Sequence, residues 1–209
     1  MQTVNDTNTQ LAATNVLILV IDGNVSIVDD TIACLASLDA LKARGVQLRT
    51  MTIEQASKDG VSDTLEDDDN PLVIAISDTF ISSRCLELNK QLQRETLPLL
   101  HVTANANDTL VGPLVLFNQT ACLACAKAQT QYFSFSFALT APSAQSPQQQ
   151  SQQIASLIAS LWAPDSLLRQ GGCFSLAAGE WAPLSNTLKN PNCPVCSRWS
   201  RTPKEVFYS

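Results

Sequence analysis

The chain has 209 residues, enough for one substantial α/β domain or a domain with a small appendage, and its 45% apolar content is that of an ordinary globular protein. The formal charge is −6, with the acidity gathered in Glu66-Asp67-Asp68-Asp69, read as a solvated loop; no Lys/Arg cluster draws phosphate, so nucleic acid is not an expected partner. The longest apolar run, Val16 to Ile21, is far too short to cross a bilayer, and the first fifteen residues have neither the basic nor the apolar region of a secretory leader. A cytoplasmic chain without membrane attachment is expected.

In chain order, residues 1–14 are a polar, Asn/Thr-rich tail expected to be disordered, and Asn15 to Asp22 (NVLILVID) reads as a buried strand. Asp29 and Asp30 can cap a helix that runs to about Arg44, with Ile32, Leu35, Leu38 and Leu41 on one face and Gly45 ending it. Val46 to Ile53 alternates apolar and polar side chains as a second strand, and a polar, acidic surface connection follows. Pro71 to Ser77 (PLVIAIS) is a third buried strand; Thr79 can cap a helix through Arg94; Leu97 to Thr103 (LPLLHVT) is a fourth strand. Strand, helix, strand, twice over, predicts a parallel sheet covered by helices, a Rossmann-like α/β fold.

After a polar turn, Leu110 to Phe117 makes a further extended segment. Thr140 to Gln153 (TAPSAQSPQQQSQQ) is low in complexity and reads as a flexible linker between a domain at 15–139 and a C-terminal unit at 154–209. In that unit Ile154 to Trp162 has helical periodicity, and Cys173–Ala178 with Trp181–Leu188 predict a short hairpin across Gly179-Glu180.

The most specific signal is a pair of cysteine doublets, Cys122-Leu-Ala-Cys125 and Cys193-Pro-Val-Cys196, with 67 residues between them (193 − 125 − 1). A Cys-x-x-Cys turn aims two thiolates at one point about 2.3 Å away, and two such turns complete a tetrahedral four-sulfur site. In a reducing compartment such doublets bind metal rather than form disulfides, so Cys122, Cys125, Cys193 and Cys196 are predicted to hold a structural Zn²⁺ that ties the end of the chain to its middle. Four thiolates leave no open position for substrate, and no thioredoxin-type setting surrounds either doublet. Cys34, Cys85 and Cys173 read as small buried hydrophobes.

His101, the only histidine, reads as a hydrogen-bonded core imidazole rather than a catalyst, because no nucleophile pairs with it in sequence. Asp78, at the C-terminal end of a strand where doubly wound sheets bind ligands, is favoured as a helix cap or a vestige. No catalytic or nucleotide-binding residue is assigned.

The stretch Pro71-Leu-Val-Ile-Ala-Ile-Ser-Asp78-Thr-Phe, a helix with Arg84 and Asn89, the strand LPLLHVT, and Val111-Gly112-Pro113 leading to Cys122-Leu-Ala-Cys125 resembles the C-terminal half of the ThiF-like family, the fold of ubiquitin-type activating enzymes. The Gly-Pro approach to the first doublet looks most like the ThiF-like partner proteins of YcaO cyclodehydratases, which make azole- and azoline-bearing ribosomal peptides. The resemblance covers about residues 71 to 196. It implies a reduced ThiF-like fold closed by the four-cysteine zinc site, in a scaffold for a precursor peptide or a YcaO-type enzyme.

It also implies a homo- or hetero-oligomer with another ThiF-like subunit. Adenylating members carry a Gly-x-Gly-Gly-x-Gly turn after the first strand, where this chain has Ile21-Asp22-Gly23-Asn24-Val25-Ser26. Of the family's Asp-x-x-Asp-Asn only Asp78 remains, with Ala75 and Thr79 in place of the first acid and the Asn. The expectation is therefore a non-catalytic component of a peptide cyclodehydratase complex in bacteriocin-like biosynthesis. The alternative is a minimal ATP-using activating enzyme completed by a partner subunit. Such partners often carry an N-terminal winged-helix module for the leader peptide; about fourteen polar residues precede the first strand here, so leader binding falls to the sheet edge or to another subunit.

Overall fold

The computed structural model describes residues 15–21, 25–59, 61, 71–105, 109–132, 146–163, 166–177 and 180–197. Its elements run β1 (Asn15–Val20), α1 (Val25–Ser37), α2 (Asp39–Lys42), β2 (Gln47–Thr52), α3 (Ile53–Asp59), β3 (Leu72–Ser77), α4 (Ser83–Glu95), β4 (Leu99–Ala104), β5 (Thr109–Val115), α5 (Leu123–Tyr132), α6 (Pro147–Ala159), two 3₁₀ turns, β6 (Gly172–Ala177) and β7 (Glu180–Asn186). The strands form one sheet in the order β2-β1-β3-β4-β5-β6-β7.

β2, β1, β3 and β4 are parallel, as the repeated strand–helix–strand pattern requires. β5, β6 and β7 are antiparallel, which makes the sheet mixed rather than wholly parallel. The reason is the connection: residues 105–108 separate β4 from β5, too few for a crossover helix and enough for a hairpin. β3, β4 and β5 are buried along their whole length, because helices cover both faces of the sheet. On one face Leu17, Leu19, Val73, Ala75 and Leu99 pack against α3, α4 and α5. On the other, Val16, Ile18, Ile74, Leu100 and Val111 pack against α1 and α6.

Several local expectations shift. The first helix starts at Val25, so Asp29 and Asp30 lie inside it rather than capping it, and it breaks at Leu38, whose extended backbone (ψ 115°) opens the short α2. Gly45 adopts φ +68° past α2, as a helix-ending glycine does. α4 is capped by Ser82, whose side chain accepts from the Cys85 N–H, and not by Thr79. α3 replaces the start of the expected surface connection, and α5 begins at Leu123, inside the first cysteine doublet, where the sequence predicts no helix.

The expected linker at 140–153 is corrected from residue 147 onward: 147–153 form the first half of α6. Ser146 and Gln149 make a reciprocal capping box with Pro147 in the first turn. The Ser151 hydroxyl, fully buried, donates to the Ile27 carbonyl of α1 at 3.2 Å, so the polar start of the helix is docked rather than solvated. β6 and β7 then extend the same sheet through β5. β6 and β7 pair as the expected hairpin, but Glu180 belongs to β7 rather than to the turn; residues 178–179, the 1–14 tail and the Glu66–Asp69 run lie outside the described residues. No helix among the described residues is long and apolar enough to cross a membrane.

Candidate metal centre and the carboxyl end of the sheet

The two cysteine doublets meet inside the core. Cys122 immediately precedes α5 and its carbonyl accepts from the Ala126 N–H at 3.1 Å, so one helical turn sets Cys122 and Cys125 on the same side. Past β7 the chain turns tightly: Cys193 N–H donates to the Asn190 carbonyl, Asn192 N–H to Asn190 Oδ1, and Ser197 N–H to the Cys193 carbonyl. The four sulfurs lie within 4.8 Å of one another and all four residues are buried.

The sulfur spacing can be tested against a tetrahedral ion. Four sulfurs at about 2.3 Å from one centre stand about 3.8 Å apart along each edge. The observed separations are 3.9 Å for Cys122–Cys125, 3.6 Å for Cys122–Cys193 and 3.6 Å for Cys125–Cys196. All four are free thiols rather than disulfides. Hydrogen bonds from Cys122 and then Cys196 pull the Cys125 thiol well down, and donating to Cys125 pushes Cys122 up. The Asn190 N–H also points at Cys125 Sγ, 3.4 Å away. The cluster can coordinate a metal ion, and its four soft donors fill a tetrahedral shell.

At the carboxyl end of the sheet, the other singled-out residues take different places. His101 is fully buried, with Nε2 3.3 Å from Ser77 Oγ and 3.6 Å from Cys85 Sγ, and Phe80 meets its ring edge-on with centroids 5.8 Å apart. Burial lowers its pKa to about 4, partly opposed by the Gly112 backbone beside it, so the ring is neutral. It stands opposite a bulge: between the pairs Leu100↔Leu114 and Val102↔Val111, β4 has one residue and β5 has Gly112 and Pro113. Gly112 is required there, since at φ +112° a Cβ would lie 2.4 Å from the Gly172 carbonyl of β6.

Asp78 is exposed at the end of β3; its Oδ1 accepts from Thr79 Oγ1 and its carbonyl accepts from Asn105 Nδ2. With α4 capped by Ser82, Asp78 is not a helix cap. Ala75 is fully buried in the sheet. Arg84, on α4, reaches the Ile21 carbonyl at 3.5 Å and Glu54 at 3.6 Å, beside the end of β1; Asp22, Gly23 and Asn24 lie outside the described residues.

Among the remaining cysteines, Cys34 is half-buried rather than buried, with its thiol pKa raised by desolvation and then by Asp30. Cys173 is buried and raised to about 11 by desolvation, against a hydrogen bond with Thr187. Cys85 is buried and shares His101 and Ser77 as neighbours, a contact that nothing in the linear spacing of these residues signals.

No family model and no curated protein matches the chain. Solved structures do. The heterocyclase TruD superposes with a TM-score of 0.53 at 19% identity, over 90% of this chain and 28% of that one. A heterocyclase in complex with substrate and cofactor gives 0.54 at 16% identity, over 91% and 26%. Escherichia coli MccB gives 0.53 at 11% identity, over 97% of this chain and 70% of that one, and is also solved with AMPCPP and MccA. The chain thus spans about a quarter of the heterocyclase chains and about two thirds of MccB. At these identities the likeness is one of fold. The chain has a ThiF-like fold, a mixed sheet flanked by helices and closed by a four-cysteine cluster able to hold a metal.

Proposed function

We propose that this chain is a zinc-stapled ThiF-like subunit that handles a peptide during ribosomal peptide modification, working with a partner subunit in the cytoplasm. The observation that carries the reading is the four-thiol cluster closing a ThiF-like fold. Zn²⁺ suits a buried, saturated set of four thiolates, and its role is structural: it contributes folding free energy on the order of 10 kcal/mol.

The relatives give most support to an ATP-using form of this role. MccB, the microcin C7 biosynthetic enzyme, is solved with N-formylated and selenomethionine-bearing MccA, the marks of a polypeptide, and also with AMPCPP. In that form the chain is a minimal activating subunit whose partner, a second ThiF-like subunit or another copy, supplies the groups it lacks. The ends of β1 and β3, with Arg84 beside Ile21 and Asp78 exposed, lie where doubly wound sheets bind nucleotides.

The chain's own residues favour a second reading, a non-catalytic scaffold for precursor peptide or a YcaO cyclodehydratase. Ala75 stands buried where an activating enzyme has an acid, Thr79 is engaged with Asp78, and one glycine follows β1. A single carboxylate is a poor magnesium site.

ATP–pyrophosphate exchange separates the two. Exchange that appears on adding the partner subunit supports the ATP-using form. No exchange, together with tight binding of a precursor peptide or a YcaO-type enzyme, supports the scaffold. Failure to bind peptide or partner under either condition contradicts both.

A further inference from the structure

We infer that Asn89 and Gln129 are positioning residues for the metal centre, two side-chain amides that set the cysteine turns in place from outside the ligand set. The inference rests on reading the four thiols as a metal site.

The first N–H groups of a helix have no partner within it, and a Ser, Thr, Asp or Asn at the cap ordinarily accepts from them. The residue before α5 is Cys122, and its sulfur is directed at Cys193 and Cys125 instead. Asn89 takes over the cap from a different helix. It lies fully buried on α4, and its Oδ1 accepts from the Leu123 N–H at 3.3 Å. That N–H belongs to the peptide group directly after the first ligand, so the bond fixes the plane on which the Cys-x-x-Cys turn is built.

Gln129 does the corresponding work for the second doublet. It lies four residues past Cys125 on α5, about one turn on. Its Oε1 accepts from the Leu188 N–H at 3.2 Å, and its Nε2 donates to the Leu188 carbonyl. One amide thus meets both backbone groups of one residue, as a neighbouring strand would. Leu188 is 71% exposed, so apolar packing does little to hold it, and it leads straight into the turn carrying Cys193 and Cys196. Lys189 adds a bond from Nζ to the Asn118 carbonyl at 3.2 Å, just ahead of α5. Neither amide is a ligand; both fix the approach of a turn that carries two ligands, the role in which outer groups tune metal affinity.

The test is zinc affinity and release, read by competition with a coloured chelator, alongside metal content and far-UV circular dichroism. The variants are Gln129→Ala, which removes a half-buried side chain and leaves the core intact, and Asn89→Leu. Leu92→Ala is the control: it truncates the core on the same helix as Asn89 and removes neither amide. The expected result is a zinc affinity about 10- to 100-fold weaker, with faster release, for Gln129→Ala and Asn89→Leu, and wild-type affinity for folded Leu92→Ala. Wild-type affinity and release in Gln129→Ala overturn the inference while leaving the metal reading intact. Equal weakening in Leu92→Ala also overturns it, since the effect is then general destabilisation. Wild-type protein that takes up no zinc removes the metal reading and this inference together.

Discussion

Cys122 and Cys193 are 71 positions apart in sequence, and their sulfurs stand 3.6 Å apart in the core, one before the first turn of α5 and the other in the loop after β7. The pair joins the helix-covered face of the parallel sheet to the end of an antiparallel hairpin. That hairpin is already held by β5, so the cluster secures the turn after β7 against α5 rather than creating the sheet.

Cys193→Ser or Cys196→Ser should therefore abolish metal binding and loosen residues 187–197 locally. Amide hydrogen exchange checks this: protection is lost around Cys193 and Cys196, while β3 and β4 keep theirs. Loss of protection throughout β3 and β4 would show that the staple holds the whole sheet.

His101 gives stability a definite pH dependence. Its pKa falls from 6.5 when unfolded to about 4 when folded, so between those values the unfolded chain binds more protons. The stability from the neutral buried ring is complete above pH 6.5, declines as pH falls towards 4, and then levels off. The loss is about 3 kcal/mol, at roughly 1.4 kcal/mol per pH unit over that interval. Urea unfolding of wild type and His101→Leu from pH 7 to 4 checks it; the variant should lack this component of the slope.

Gly112→Ala should destabilise the protein by at least about 2 kcal/mol, because the added methyl meets the Gly172 carbonyl at 2.4 Å and φ is +112°. Denaturant unfolding measures the loss. The change should also weaken the β5–β6 join, seen as faster exchange at Phe174 and Ser175.

Ser82→Ala should cost about 1 kcal/mol through loss of the α4 cap. Thr79→Ala, at an exposed position where the hydroxyl donates to Asp78 and the carbonyl keeps its bond from Ser77 Oγ, should change stability by less than about 0.5 kcal/mol. The same unfolding measurement ranks the two, and the reverse order would place the start of α4 at Thr79.

The parts of the fold legible in sequence were those whose chemistry is continuous or exact in spacing. β1 and β3 are continuous apolar runs from Val16 to Val20 and from Leu72 to Ile76, and β4 is apolar apart from His101 and Thr103, because both faces of the sheet are covered; the two cysteine doublets announce their own geometry. α5 was hidden because its buried side is made of Leu123, Cys125 and Ala126, too small and too short a pattern to read as an apolar stripe. The start of α6 was hidden by its Gln/Ser composition, although Ser146-Pro147-Gln148-Gln149 carried a capping box in plain view. The reversal at β5 was signalled by the brevity of residues 105–108, and the contact of Cys85 with His101 by nothing local at all. Asn89 stood in the resembling stretch, yet its acceptor role needed the Leu123 N–H of a helix 34 residues further on.

The most direct test is the metal content and sulfur coordination of the purified protein, by elemental analysis and X-ray absorption at the zinc edge. The account predicts about one zinc per chain with four sulfur neighbours at about 2.3 Å. A fully folded, metal-free protein whose four core thiols react without denaturation would contradict it.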